Sequence, residues 1–208
     1  MTRSAEALLS NTRLIPVAVI KQETHAVPLA ETLLEAGIST IEVTLRTPVA
    51  LKAIEQIAQR VPELIVGAGS AIEKQHLTSA ANAGAQYAVS PGYTDELLSA
   101  NVLPYLPGAS TAAEVMYLRE RGFFFQKFFP AEAMGGLATL QAIHAPLSDV
   151  KFCPTGGITA ALAPAYLAQD YVAAIGGSWF LPAEALDKGD FVSISAAAKL
   201  AWGQVDEA

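Results

Sequence analysis

Eight short runs of apolar and β-branched residues punctuate this chain, and they constrain its fold more than any other feature. The runs are Ile15–Ile20, Thr40–Leu45, Leu64–Ala68, Tyr87–Val89, Leu103–Leu106, Phe123–Phe128, Val150–Cys153 and Tyr171–Ile175. Longer Ala- and Leu-rich stretches lie between them, with apolar residues at helical spacing. Ala26, Leu29, Ala30, Leu33 and Leu34 share one face, and Leu51, Ile54 and Ala58 share another. Strand followed by helix, repeated along the chain, predicts a parallel sheet. No sequence repeat accompanies the alternation, which argues against a solenoid.

Two architectures satisfy this pattern. An open doubly wound sheet takes about five or six strands, whereas a (β/α)8 TIM barrel takes eight in about 200 residues or more. Eight runs in 208 residues favour an α/β chain folded as one small barrel domain over residues 1–208, with a short N-terminal helix within Met1–Asn11. The helix punctuation agrees. Thr47 before Pro48 predicts an N-cap with proline at the first helical position. Thr111 with Glu114 predicts a capping box, and Gly37 and Gly122 stand where helices should stop.

Composition narrows the partners. Charged residues are only 16% of the chain, well below the usual ~25%, so a disordered charged scaffold is excluded. A net charge of −7 gives no general attraction for nucleic acid or anionic lipid. The single cysteine, Cys153, excludes an internal disulfide and any Cys-based zinc site within one chain. The longest uncharged run, Phe152 to Gln169, is broken by Pro154, Gly156, Gly157 and Pro164 and cannot be one spanning helix. Glu6 and Arg13 interrupt the N-terminal stretch, which therefore does not resemble a signal peptide. A cytoplasmic protein with no membrane and no nucleic-acid partner is expected.

A barrel collects functional residues at the C-terminal ends of its strands, and the polar and glycine clusters fall there. The second run ends in Glu42-Val-Thr-Leu-Arg46, the third in Gly67-Ala-Gly-Ser70, the fourth in Ser90-Pro-Gly92 and the fifth in Pro107-Gly108. The sixth carries Gln126-Lys-Phe-Phe-Pro-Ala-Glu132, the seventh ends in Pro154-Thr-Gly-Gly157 and the eighth in Gly176-Gly-Ser-Trp179. In the second run Thr40, Glu42, Thr44 and Arg46 alternate with Ile41, Val43 and Leu45. If the apolar set meets the helices, Glu42 points inward, where an unpaired carboxylate costs several kcal/mol. A structural ion pair, or an edge strand facing water, is the plain alternative.

Lys127 is the sharpest signal, because it shares a strand face with Phe125 and Phe129. Burial disfavours a charged amine, and the free amine attacks a carbonyl to form a Schiff base. A lysine at a strand end reaching water is the competing reading. Together with an inward carboxylate, however, the amine supplies the minimum parts of imine chemistry. The paired glycines Gly156-Gly157 and Gly176-Gly177 follow the seventh and eighth runs, where barrels often hold phosphate on backbone N–H groups. Thr159 is expected to cap the helix after the first pair. Two ordinary tight turns would also explain them.

Other features point nowhere in particular. Gly67-Ala-Gly-Ser-Ala-Ile72 nearly matches a dinucleotide fingerprint, but Ile72 stands where a small residue is needed. His25, His76 and His144 lack metal-ligand spacing, and no metal is expected. Cys153 reads as a small buried filler.

The ordered set Glu42-Val-Thr-Leu-Arg46, Gly67-Ala-Gly, Ser90-Pro-Gly92, Lys127-Phe-Phe-Pro-Ala-Glu132, Pro154-Thr-Gly-Gly157 and Gly176-Gly-Ser-Trp179 resembles the 2-keto-3-deoxy-6-phosphogluconate (KDPG) aldolase family, which includes enzymes that cleave 2-keto-4-hydroxyglutarate (KHG). The likeness runs from about Ile15 to about Asp190. It implies a class I aldolase on a (β/α)8 barrel, usually a homotrimer, with no cofactor and no metal. It implies KDPG as substrate, with pyruvate and glyceraldehyde 3-phosphate as products. The family's Schiff-base lysine falls on Lys127, its proton-transfer glutamate on Glu42 and its carboxylate-binding arginine on Arg46. Ser70 stands where the family usually has Thr, keeping the hydroxyl without the methyl that stiffens χ1. Pro91 and Phe129 match residues of the pyruvyl pocket, and Thr155, Gly156, Gly157, Gly177 and Ser178 match the phosphate end. Alternatives remain: an aldolase for the 6-phosphogalactonate epimer, a phosphosugar isomerase or epimerase on a related barrel, or a non-catalytic phosphate-binding module.

Overall fold

The alternating runs form parallel strands whose outer faces are buried under helices. The computed structural model describes residues 4–9 and 11–206. In chain order the elements are α1 (Ala5–Leu9), β1 (Leu14–Ala18), α2 (Ala26–Glu35), β2 (Thr40–Thr44), α3 (Ala50–Arg60), β3 (Ile65–Gly69), α4 (Lys74–Asn82), β4 (Tyr87–Val89) and α5 (Asp95–Leu98). There follow β5 (Tyr105–Leu106), β6 (Gly108–Ala109), α6 (Ala112–Glu120), β7 (Phe125–Phe128), α7 (Gly136–His144), β8 (Lys151–Pro154), α8 (Ala163–Leu167), β9 (Ile175–Gly177), α9 (Ala183–Lys188) and α10 (Phe191–Asp206).

All strand pairs are parallel, and the ladders fall into two sheets. One has six strands in the order β5-β4-β3-β2-β1-β9, and the other three in the order β6-β7-β8. Eight strands in one closed ladder were expected, and the difference has a local cause. The fifth run continues past Leu106 into Gly108–Ala109, but Pro107 between them has no N–H to give to a ladder. Its carbonyl still accepts from Lys127 N–H at 2.8 Å. The eighth run also shifts. Only its last residue, Ile175, is in β9; Val172 makes an isolated bridge to Phe152, and Thr155 bridges Gly176. The coarse architecture is a curled parallel α/β sheet.

The curl separates two apolar regions. Ile41 and Val43 of β2, Val66 and Ala68 of β3, and Phe128 of β7 face outward into the main core with α2, α3 and α10. Ile15, Tyr87, Val89, Leu106, Phe125, Cys153 and Ala174 form a second cluster on the inner faces, closed by Ala5 and Leu9 of α1. The short N-terminal helix therefore seals the end of the sheet remote from the strand C-termini.

Thr111 and Glu114 form the expected reciprocal capping box on α6, and Gly37 and Gly122 take positive φ just beyond α2 and α6. Two caps differ from expectation. Thr47 donates its hydroxyl to the Ile20 carbonyl at 2.6 Å, and α3 starts later, at Ala50, from Val49. Thr159 offers only its backbone carbonyl, to Leu162 and Ala163, and α8 starts from Leu162 without a side-chain cap. In both places the chain makes an extra turn after the strand, and the threonine closes that turn instead of the helix.

Candidate active site

Strand alternation delivers the two chemical groups to one point. Inward on β2 are Thr40, Glu42 and Thr44, all buried. Inward on β7 are Phe125 and Lys127, while Gln126 turns outward and donates to the carbonyls of Phe123 and Val115. Lys127 Nζ lies 3.6 Å from Glu42 Oε1, with side-chain exposures of 7% and 3%. The sheet makes room for them with small residues. A Cβ on Gly69 would fall 2.1 Å from Glu42 Oε1, so only glycine leaves the carboxylate its position. Beneath the pair, Tyr87 donates to the Ile41 carbonyl and meets Thr40 Oγ1 at 3.1 Å. Its ring fills the space above Gly67. Burial pushes the Tyr87 phenol well up, so it stays protonated.

Cys153, beside Lys127 in register on β8, is buried and free. Burial pushes its thiol up to about 12, which makes it a packing group and no nucleophile. Lys127 Nζ also sits 5.2 Å from the centroid of the Phe129 ring.

Arg46, just past β2, donates from Nε to Ser70 Oγ at 2.8 Å. Ser70 holds this position with φ 58, left-handed backbone uncommon for a residue with a side chain. The contact occupies Nε and leaves the two terminal nitrogens, the fork that pairs with a carboxylate. Ser70 is thus turned toward the arginine.

Pro91 is fixed by its neighbours. Ser90 Oγ bonds the Tyr105 hydroxyl and the Gly92 carbonyl. Gly108 allows the Pro91 carbonyl to approach, since a Cβ there would lie 2.3 Å from that oxygen. Phe129 donates its N–H to Ala109 at 3.1 Å and precedes a cis bond to Pro130.

Thr155, Gly156 and Gly157 follow β8. Gly156 and Gly157 have φ of 102 and 80, and Thr155 before them bridges Gly176 of β9. Thr155 Oγ1 occupies the space a Cβ on Gly176 would need, at 2.3 Å, and the Trp179 ring lies 1.9 Å from where a Cβ of Gly177 would sit. Ser178 next to it is exposed. Because α8 and α9 both begin several residues later, any anion here meets turn N–H groups and no helix terminus.

Glu42 sits at the middle of β2 and Lys127 one residue before the end of β7, where the two are in contact, and the other candidate site residues lie at or just beyond the C-terminal ends of the strands. Sequence reasoning missed Tyr87, which looked like core, and the Ser90–Tyr105 contact, which joins residues 15 apart. Among the described residues no group of three or more His, Cys, Asp or Glu side chains could hold a metal ion. His76 pairs with Glu73 at 3.3 Å, and His144 stacks on Tyr171. No helix among the described residues is long and apolar enough to cross a membrane. A cavity of about 440 Å³ near α1, bordered by Glu6, Arg13, Lys151 and Asp170, shares no residue with the Lys127–Glu42 pair.

A buried amine beside a carboxylate can add to a ketone while protons pass between them. Known proteins agree with this chemistry. The family model for KDPG and KHG aldolase matches residues 5–197. The KHG/KDPG aldolase of Escherichia coli (strain K12) is 49% identical over 199 residues, 94% of this chain and 93% of the relative. The 2-dehydro-3-deoxy-phosphogluconate aldolase of Dickeya dadantii is 47% identical over the same shares. Among solved structures, the KDPG aldolase of Legionella pneumophila, with pyruvate captured as a covalent carbinolamine, superposes with a TM-score of 0.92 at 40% identity, covering 96% of this chain and 98% of that one. That of Zymomonas mobilis ZM4 with 3-phosphoglycerate gives 0.90 at 41%, covering 97% and 96%. A buried lysine–glutamate pair on a curled parallel sheet, a family model spanning nearly the whole chain and relatives approaching half identity place this chain in the KDPG/KHG aldolase family.

Proposed function

We propose that this chain is a class I aldolase that cleaves KDPG to pyruvate and glyceraldehyde 3-phosphate, with KHG as a further substrate. One observation carries the reading: Lys127 Nζ and Glu42 Oε1 are 3.6 Å apart, buried, on facing strands.

Glu42 takes a proton from the Lys127 ammonium, the freed amine adds to the C2 ketone, its own proton passes to the new alkoxide, and Glu42 then protonates that hydroxyl, which leaves as water. The resulting protonated imine is the electron sink. Glu42, again a carboxylate, takes the C4 hydroxyl proton; the C3–C4 electron pair flows to the imine nitrogen, and glyceraldehyde 3-phosphate leaves. The enamine takes a proton at C3, and water releases pyruvate and the free amine. The terminal nitrogens of Arg46 pair with the substrate carboxylate, held in direction by Ser70. Pro91 and Phe129 flank the pyruvyl carbons. Thr155, Gly156, Gly157, Gly177 and Ser178 receive the phosphate, chiefly on backbone N–H groups. Positioning of this kind supplies several kcal/mol of a barrier.

The finer architecture in this reading is one eight-stranded barrel domain, with β5 and β6 as a single strand broken at Pro107. The bridges Phe152–Val172 and Thr155–Gly176 support closure between β8 and β9. The assembly in this reading is a homotrimer of 21.8 kDa chains, and sedimentation equilibrium should return three times the chain mass.

Incubation with pyruvate and borohydride should add a stable adduct to the peptide containing Lys127, and Lys127→Ala should abolish both adduct and pyruvate release from KDPG. An unmodified Lys127, with activity surviving in the alanine variant, would refute the assignment.

A further inference from the structure

Glu132 closes the Lys127–Glu132 motif, and its surroundings give it a task outside the chemical step. It opens a 3₁₀ turn, Glu132–Met134, just after β7. Its N–H donates to the Gly156 carbonyl at 3.0 Å, and that of Ala131 donates to Thr155 at 2.8 Å. Its side chain runs directly beneath the glycine turn, since a Cβ on Gly157 would lie 2.7 Å from Glu132 Cβ. Its Oε1 accepts from the hydroxyl of Tyr166 on α8, a residue 1% exposed. Burial first, and then the Glu132 carboxylate, push the Tyr166 phenol up, so it remains the donor. On the far side, a Cβ on Gly136 would come within 3.0 Å of Oε1 and 3.3 Å of the Tyr166 hydroxyl, so the contact is walled in.

Two successive glycines at positive φ have wide conformational freedom. The N–H groups of Ala131 and Glu132 hold the Thr155 and Gly156 carbonyls, so the shape of the turn depends on the segment packed beneath it. Glu132 is the side chain beneath it. A carboxylate close to a phosphate is also repulsive, and the bond to Tyr166 directs Oε1 toward α8.

We propose that Glu132 and Tyr166 are positioning residues that clamp the Gly156–Gly157 turn, and so set a preference for phosphorylated over unphosphorylated 2-keto-3-deoxy acids. The proposal rests on the reading above that this turn receives the phosphate, and it names what holds the turn in shape.

Steady-state kinetics with KDPG and with unphosphorylated 2-keto-3-deoxygluconate test it. Tyr166→Phe removes only the hydroxyl and should raise KM for KDPG about tenfold, the effect of losing a hydrogen bond to a charged group. It should change kcat/KM for the unphosphorylated acid by less than about threefold and preserve the pyruvate adduct at Lys127. Glu132→Ala should behave likewise. Glu132→Gln retains an oxygen that accepts from Tyr166 and should stay close to the parent. Equal losses on both substrates would make the pair merely structural and overturn the proposal, as would an unchanged KM in Tyr166→Phe. Failure of the underlying aldolase reading has a different signature: the parent enzyme then leaves Lys127 unmodified by pyruvate and borohydride, and both fall.

Discussion

At the scale of single residues, Lys127 and Glu42 depend on each other. Both are almost wholly buried, so removing one charge leaves the other without a partner in the sheet interior. Breaking a buried pair in this way costs about 3–5 kcal/mol, whereas replacing both partners is far milder. Lys127→Met should therefore lower unfolding stability by roughly that amount in urea titration, and the double variant with Glu42→Gln should recover most of it. Equal stabilities of the single variant and the parent would refute the coupling. Glu42→Gln alone preserves shape and removes the proton carrier, so kcat on KDPG should fall ~10²–10⁴-fold with circular dichroism unchanged. Ser70 separates backbone strain from chemistry. Ser70→Ala loses the bond to Arg46 yet keeps the left-handed backbone, while Ser70→Gly loses the bond and relieves the backbone. Both should raise KM for KDPG, and the glycine variant should be the more stable by about 1 kcal/mol.

At the scale of elements, the inner face of β3 is the one to probe, because its glycines carry the space for the groups opposite. Gly69→Ala would place a methyl 2.1 Å from Glu42 Oε1, so the carboxylate must move away from Lys127. Activity and adduct formation should collapse together, while the strand keeps its pairing with β2. Normal adduct formation would show that Glu42 tolerates displacement. Much of this arrangement was legible in the sequence. The alternation of Thr40, Glu42 and Thr44 with Ile41 and Val43 fixes which side chains face inward, because the side-chain period of a strand is two. The capping box of α6 was legible because it needs only two residues three apart. What depended on distant neighbours was not. Thr47 carries a good cap signal but is claimed by Ile20, 27 residues away. The break at Pro107 splits a run that hydropathy reads as one strand. The eighth run was placed mostly ahead of β9 because the glycines that form the strand carry no apolar signal. Glu132, too, was visible only as the end of a motif, since its partner Tyr166 lies 34 residues on.

At the scale of the whole molecule, the curled sheet protects a set of weak acids from ionising, and that gives the fold an alkaline limit. Burial pushes the Cys153 thiol from 9.0 up to about 12. It raises Tyr105 from 10.0 to about 12 and Tyr87 well above 10.0. Below pH 9 these groups are protonated in the folded and unfolded chain alike, so their contribution to stability is fully present. Above pH 9 the unfolded thiol ionises and the folded one does not. The unfolded state then binds fewer protons, and stability declines with pH. One such group costs about 1.4 kcal/mol per pH unit until its folded value is reached. The tyrosines add to the slope above pH 10. The melting temperature should therefore be nearly flat from pH 7 to 9, fall between 9 and 10 through Cys153, and fall more steeply toward 12 as Tyr87 and Tyr105 join. Cys153→Ala removes the first of these groups. Differential scanning calorimetry of that variant should show the decline beginning nearer pH 10, with the steeper part unchanged. A variant whose melting curve tracks the parent from pH 9 to 10 would show that the thiol is not the group that starts the alkaline loss.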